Sequence, residues 1–330
     1  MREDALMTAG AGSAAVPSSS GSAQRTAARQ GGAAITRAGG AGSGGSGTGG
    51  RLPTFLIVGA QKTGTTSLWH YLRAHPQVHL PDEKEPEFFL GDEAWARGID
   101  WYRSLFVGAG DAVAVGEAST MYSMFPHAAG VPQRIRSVVP DVRLLYVLRH
   151  PIERMVSLYG HHLMAGWEHR PIEQALLQDA RYTDSSRYAM QIEQYLRCFD
   201  RDQLLVLTSE QLRDDRAATL ATVHRFLGVD DGWQAPAVER THNTRDDQRV
   251  PRRWWWLMGE VLIRTGADRL VPEVVVRHNR NRLVTRPVAP HERVLDADVR
   301  RRLEDVLRPD LERLQALLGT PFDAWGLLQG

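Results

Sequence analysis

The sequence predicts an α/β domain with a central parallel sheet, helices on both faces and a helical C-terminal third. Three observations lead there. Short apolar runs alternate with helix-patterned stretches from Leu52 onward. The first run, Phe55-Leu-Ile-Val58, enters a glycine-punctuated turn that opens a helix. A later run, Leu144–Leu148, ends in Arg149-His150-Pro151, with proline where a first helical turn tolerates a missing N–H.

Taken in order, residues 1–50 are mostly Gly, Ala, Ser and Thr with scattered Arg, without periodicity and with almost no bulky apolar side chains. Such a stretch cannot bury enough surface to offset its ordering entropy and is expected to be a disordered tail. It lacks the apolar core of a secretory signal, and a targeting leader is the alternative to a passive tail. The domain is expected over 51–330. Strands are expected at Phe55–Val58, Ala112–Val115, Val142–Leu148 and Gln203–Thr208. Helices are expected at Thr66–Ala74, from Pro151 with Ile152, Val156, Tyr159 and Leu163 on one apolar face, and around Tyr188, Ile192, Tyr195 and Phe199. Ser157, Arg154 and His161 fall opposite the apolar face of the second of these. Further on, helices are expected at Arg252–Arg264 and Asp296–Leu318, the latter interrupted by Pro309.

The bulk numbers exclude several classes. Among 330 residues, 42% are hydrophobic and the formal net charge is +1, which argues against nucleic acid as the main partner. The single cysteine, Cys198, rules out an intrachain disulfide and suits a reducing compartment, with an inert buried thiol as its expected state. No apolar run approaches the ~18 residues of a membrane span. A cytoplasmic protein is the simplest expectation.

Three segments carry chemistry. Gly59-Ala-Gln61-Lys62-Thr63-Gly64-Thr65-Thr66 has the form of a phosphate cradle, in which backbone N–H groups and a helix N-terminus converge on an anion. It is P-loop-like but departs from G-x-x-x-x-G-K-[ST]: Thr65 follows Gly64, and the lysine lies inside the turn. The strand ending at Leu148 leads into Arg149, where triphosphatases commonly place a metal-holding Asp. A cation there suits a second phosphate, to which Ser157 can also donate. In Lys84-Glu85-Pro86-Glu87-Phe88-Phe89, Pro86 excludes a regular helix, and a carboxylate beside Lys84 can stay ionised and act as a general base. No spacing of His, Cys and carboxylates suggests a metal site.

In this order the Gln61–Thr66 loop, the Lys84–Phe89 segment, Gly98-Ile-Asp-Trp101-Tyr102 and Leu148–Pro151 with Ser157 resemble the sulfotransferases that use 3′-phosphoadenosine 5′-phosphosulfate (PAPS). The resemblance is to the branch of the heparan sulfate N- and O-sulfotransferases and bacterial small-molecule relatives. It implies that Gln61, Lys62, Thr63, Gly64, Thr65 and Thr66 wrap the 5′-phosphosulfate. It implies that Arg149 and Ser157 bind the 3′-phosphate, that Tyr188 lies near the cofactor, and that Arg245 belongs to a late cofactor loop. Glu85 matches the family's catalytic glutamate and Lys62 the residue that stabilises the leaving phosphate. No metal is implied. The expected function is sulfuryl transfer to a hydroxyl, or else an amine, of a small-molecule or glycan acceptor. A P-loop kinase and a non-catalytic nucleotide-binding module are the alternatives. Trp254-Trp255-Trp256 suggests an aromatic platform and leaves a homodimer open, and Arg277, Arg280, Arg282 and Arg286 form a basic patch.

Overall fold

The computed structural model describes residues 50–234, 249–251, 285–287, 294–319 and 322–329. The N-terminal tail, Arg245, the tryptophan triplet, the Arg252–Arg264 helix and most of the basic patch lie outside the described residues. A five-stranded parallel sheet forms the centre. Its strands are β1 (Phe55–Gly59), β2 (Val78–His79), β3 (Ala114–Ala118), β4 (Arg143–Leu148) and β5 (Leu204–Thr208), in the spatial order β2-β3-β1-β4-β5. A separate antiparallel pair joins β6 (Arg249–Pro251) and β7 (Thr285–Pro287), a short addition to the C-terminal third that the sequence reading did not place.

The helices are α1 (Thr65–Ala74), α2 (Asp92–Trp95), α3 (Ile99–Ser104), α4 (Val131–Val138), α5 (Pro151–Ala165), α6 (Ile172–Gln178), α7 (Ala180–Asp184), α8 (Tyr188–Leu196), α9 (Ser209–Asp214), α10 (Arg216–Leu227) and α11 (Ala297–Leu318). Strand residues alternate between two cores. Phe55, Ile57, Leu145 and Val147 pack with Leu68 and Leu72 of α1 and Leu220 and Val223 of α10. Leu56, Val58, Leu144 and Leu148 pack with residues of α4, α5, α8 and α11. Both faces of the sheet are therefore covered, as a parallel sheet requires. No helix among the described residues is long and apolar enough to cross a membrane.

Beyond shifts of one residue at strand ends, a strand boundary, a short strand and a helix continuity differ from the sequence reading. The third strand begins at Ala114 and runs to Ala118, because Val115 pairs towards β2 and Gly116 to Ala118 pair with Phe55 to Ile57. The two-residue β2 was too short to register as a pattern. Pro309 does not interrupt α11, which is continuous from Ala297 to Leu318. An interior proline costs about 3 kcal/mol, and burial of Leu303, Leu307, Leu311 and Leu314 along one stripe offsets it. The neighbouring Asp310 adds a tie: its carboxylate accepts from the Ala189 and Met190 N–H groups that open α8.

Candidate active site

β1, β3 and β4 end side by side, and the chemistry-bearing residues follow each end. Such a C-terminal edge is where open parallel sheets bind ligands. After β1 the chain turns sharply. A Cβ on Gly59 would lie 1.9 Å from the Ser123 hydroxyl oxygen and 2.8 Å from the Tyr146 ring, so only glycine fits. Lys62 and Gly64 both take positive φ, 68° and 92°. The Thr63 hydroxyl donates to the Ala60 carbonyl at 2.7 Å and closes the turn, and the Gln61 amide reaches the Met121 sulfur. No side chain caps α1, and Gly64 is exposed, with only the Ser209 Cβ, at 4.0 Å, near where a Cβ would stand. The N-terminal N–H groups of α1 thus face outward, as an anion cradle needs. Thr65 is buried at that end and Thr66 exposed.

After β4, the Arg149 guanidinium donates to the Lys62 carbonyl at 3.2 Å, which ties the second turn to the first. Neither Lys62 nor Arg149 forms a salt bridge among the described residues. The Lys62 pKa is lowered, first by burial and then by the Arg149 cation, with Glu85 opposing. Two neighbouring cations without carboxylate partners fit a polyanionic ligand. Tyr188 is buried, and its hydroxyl donates to the Arg149 carbonyl at 2.8 Å, so it holds the turn. Ser157 is half-buried on α5. Arg154 departs from expectation. It is not on the open side with His161 but fully buried, donating to the Ser186 hydroxyl at 2.7 Å and the Tyr182 carbonyl at 2.6 Å. These two acceptors draw the guanidinium inward.

After β3 comes the cluster that receives the Lys84–Phe89 segment. Glu85 and Glu87 take left-handed φ values of 63° and 54°, either side of Pro86. The Glu85 N–H donates to the Ala118 carbonyl at 3.0 Å and the Glu87 N–H to the Ser119 hydroxyl at 3.1 Å. Phe88 and Phe89 anchor the end, Phe88 stacking on Tyr102 at 4.4 Å. The Glu85 carboxylate accepts from Lys84 at 2.5 Å and from the Thr120 hydroxyl at 3.2 Å. Burial, followed by the Glu85 charge, pushes the Glu87 carboxyl up to about 7. One more carboxyl completes the cluster. Glu117, wholly buried on β3, accepts from Ser119 at 2.8 Å and Tyr102 at 3.3 Å. Burial pushes it up to about 7 against the opposing bonds from Ser119, Tyr122 and Tyr102.

The structure thus brings together Gln61–Thr66, Arg149, Tyr188 and Glu85. Sequence reasoning missed Glu117, Ser119 and Thr120. A carboxylate inside the small, apolar Ala114–Ala118 strand was the available signal. Cys198 is a half-buried free thiol with its pKa raised by burial.

A sulfotransferase-domain family profile matches residues 52–244, more than half of the chain. The chain belongs to the sulfotransferase family. Among this sulfotransferase's relatives is the bifunctional heparan sulfate N-deacetylase/N-sulfotransferase 4 of Mus musculus, 32% identical over 200 residues, covering 54% of this chain and 22% of that protein. Another is heparan sulfate glucosamine 3-O-sulfotransferase 6 of Homo sapiens, 32% identical over 187 residues, 54% of this chain and 53% of that one. The match therefore spans about a fifth and about half of these two relatives. Among solved structures, a sulfotransferase from Alicyclobacillus acidocaldarius superposes with a TM-score of 0.61 at 26% identity, over 84% of this chain and 99% of that one.

Proposed function

We propose that this sulfotransferase moves a sulfuryl group from PAPS to a hydroxyl, or else an amine, of a glycan or small-molecule acceptor. The observation that carries the reading is the pairing of two cations, Lys62 and Arg149, neither in a salt bridge among the described residues, with a carboxylate on a separate, strained segment. Cations alone would suit any nucleotide, whereas the carboxylate supplies a base. The names of the two mammalian relatives, both acting on heparan sulfate, support a glycan acceptor.

PAPS, when bound, supplies an electrophilic sulfur on a good leaving group. The residues would divide the work by charge. The loop from Gln61 to Thr66 orients the 5′ end through its N–H groups and the two threonines. Lys62 stabilises charge growing on the departing phosphate oxygen, and its lowered pKa makes it a readier proton donor there. Arg149 and Ser157 hold the 3′-phosphate. Glu85 takes the proton from the acceptor as the new S–O or S–N bond forms and the bond from sulfur to the phosphate oxygen breaks. The products are the sulfated acceptor and adenosine 3′,5′-bisphosphate.

Radiolabelled sulfuryl transfer from PAPS to a panel of amino- and hydroxy-saccharides and phenols tests the reading. Glu85→Gln is expected to lower turnover by ~10²–10⁴ with little change in donor affinity. Unaltered turnover would remove Glu85 from the reaction.

A further inference from the structure

The last turn of α5 leads into a surface loop built more firmly than a connector needs. Gly166 closes the helix with φ 75°, and the Trp167 N–H donates back to the His162 carbonyl at 2.9 Å. Glu168, only 5% exposed, accepts from the His169 and Arg170 N–H groups at 2.9 and 3.0 Å. It also takes the Arg170 guanidinium through Nε at 2.9 Å and Nη2 at 2.6 Å, and the Tyr182 hydroxyl at 3.3 Å. Arg170 in turn reaches Asp179, which pairs with Arg181 at 2.6 Å. Every polar group of this buried carboxylate is engaged, and the loop is fixed to α7.

What the loop displays is an indole. Trp167 is 46% exposed. Its ring lies edge-on to His161, with centroids 5.9 Å apart at 85°, and tilted against His162 at 5.8 Å. His161 stands one turn beyond Ser157 on α5, the helix that follows Arg149, and the Lys62 and Glu85 charges both act on its imidazole. The indole is therefore held against the helix that runs out from the proposed donor site. A singly exposed apolar residue is ordinary, but one held rigid next to a reaction centre loses little conformational entropy on binding.

We infer that Trp167 is a stacking platform for a sugar ring of the acceptor, with His161 at its edge hydrogen-bonding ring hydroxyls. The apolar face of a pyranose suits an indole, and its rim of hydroxyls suits the flanking imidazole. This rests on the sulfuryl-transfer reading above and assigns that site an acceptor class.

The test is calorimetric titration of an unsulfated heparan-backbone hexasaccharide into protein saturated with adenosine 3′,5′-bisphosphate. Trp167→Ala is expected to weaken saccharide binding about tenfold, Trp167→Phe to keep most of it, and bisphosphate binding to be unchanged in both. Equal saccharide affinity in Trp167→Ala and the unaltered protein overturns the platform. So does an unaltered protein that binds bisphosphate but takes 2-naphthol in place of the saccharide. Failure of the unaltered protein to bind bisphosphate overturns the donor reading first, and this inference with it.

Discussion

Glu117 lies on β3 beneath the segment that carries Glu85, and links to it through Ser119 and the Glu87 N–H. Its raised pKa has a consequence for stability. A carboxyl raised from its ordinary 4.5 to about 7 binds its proton more tightly folded than unfolded. The stability it contributes is complete below 4.5 and is lost as pH rises through 7, on the order of 3 kcal/mol for a fully buried group. Glu87 acts in the same direction. His162 and His224, held down to about 4 chiefly by burial, act oppositely. Their contribution is present above 6.5 and lost as pH falls towards 4. In urea unfolding between pH 5 and 8, the slope of stability against pH should be more negative in the unaltered protein than in Glu117→Gln. An identical slope in both proteins would mean Glu117 is not protonated in the fold.

Among the elements, the turn from β4 into α5 is where the proposed reading puts the discrimination between nucleotides. Arg149 is fixed from two sides, its guanidinium on the Lys62 carbonyl and its own carbonyl on Tyr188. A charge-assisted bond to a phosphate is worth roughly 1.5–3 kcal/mol. Arg149→Ala should therefore weaken binding of adenosine 3′,5′-bisphosphate by roughly 10–100-fold. Binding of adenosine 5′-phosphate should change far less, and equal losses for the two nucleotides would refute the 3′-phosphate role. This turn was legible in the sequence because proline at a helix start and arginine at a strand end are local signals. The Gly59–Thr66 loop was legible for the same reason, since glycine reports its own backbone. Glu117 was not, because a buried carboxylate depends on hydroxyls from Tyr102, Ser119 and Tyr122 that only the fold assembles. Nor was the continuity of α11 through Pro309, where tertiary burial overrides local propensity. Trp167 gave no signal at all, since its loop is fixed by Glu168 meeting Tyr182 of α7 and by Arg170 meeting Asp179 just before it.

At the scale of the molecule, a parallel sheet buried on both faces leaves its C-terminal edge as the place where three loops meet. β1 brings the anion cradle, β4 the second cation, and β3 the support for the carboxylate segment. Under the proposed reading, that convergence makes the site a transfer site rather than a nucleotide pocket alone. The central claim is that Lys62 and Arg149, neither in a salt bridge among the described residues, select a donor bearing phosphate at both ends of adenosine. Calorimetric titration with adenosine 3′,5′-bisphosphate, set against ADP with Mg²⁺, tests it most directly. The account predicts micromolar binding of the bisphosphate without metal, and weaker binding of ADP. Preference for ADP with Mg²⁺ would contradict it and would recast Lys62 as part of a phosphoryl-transfer site.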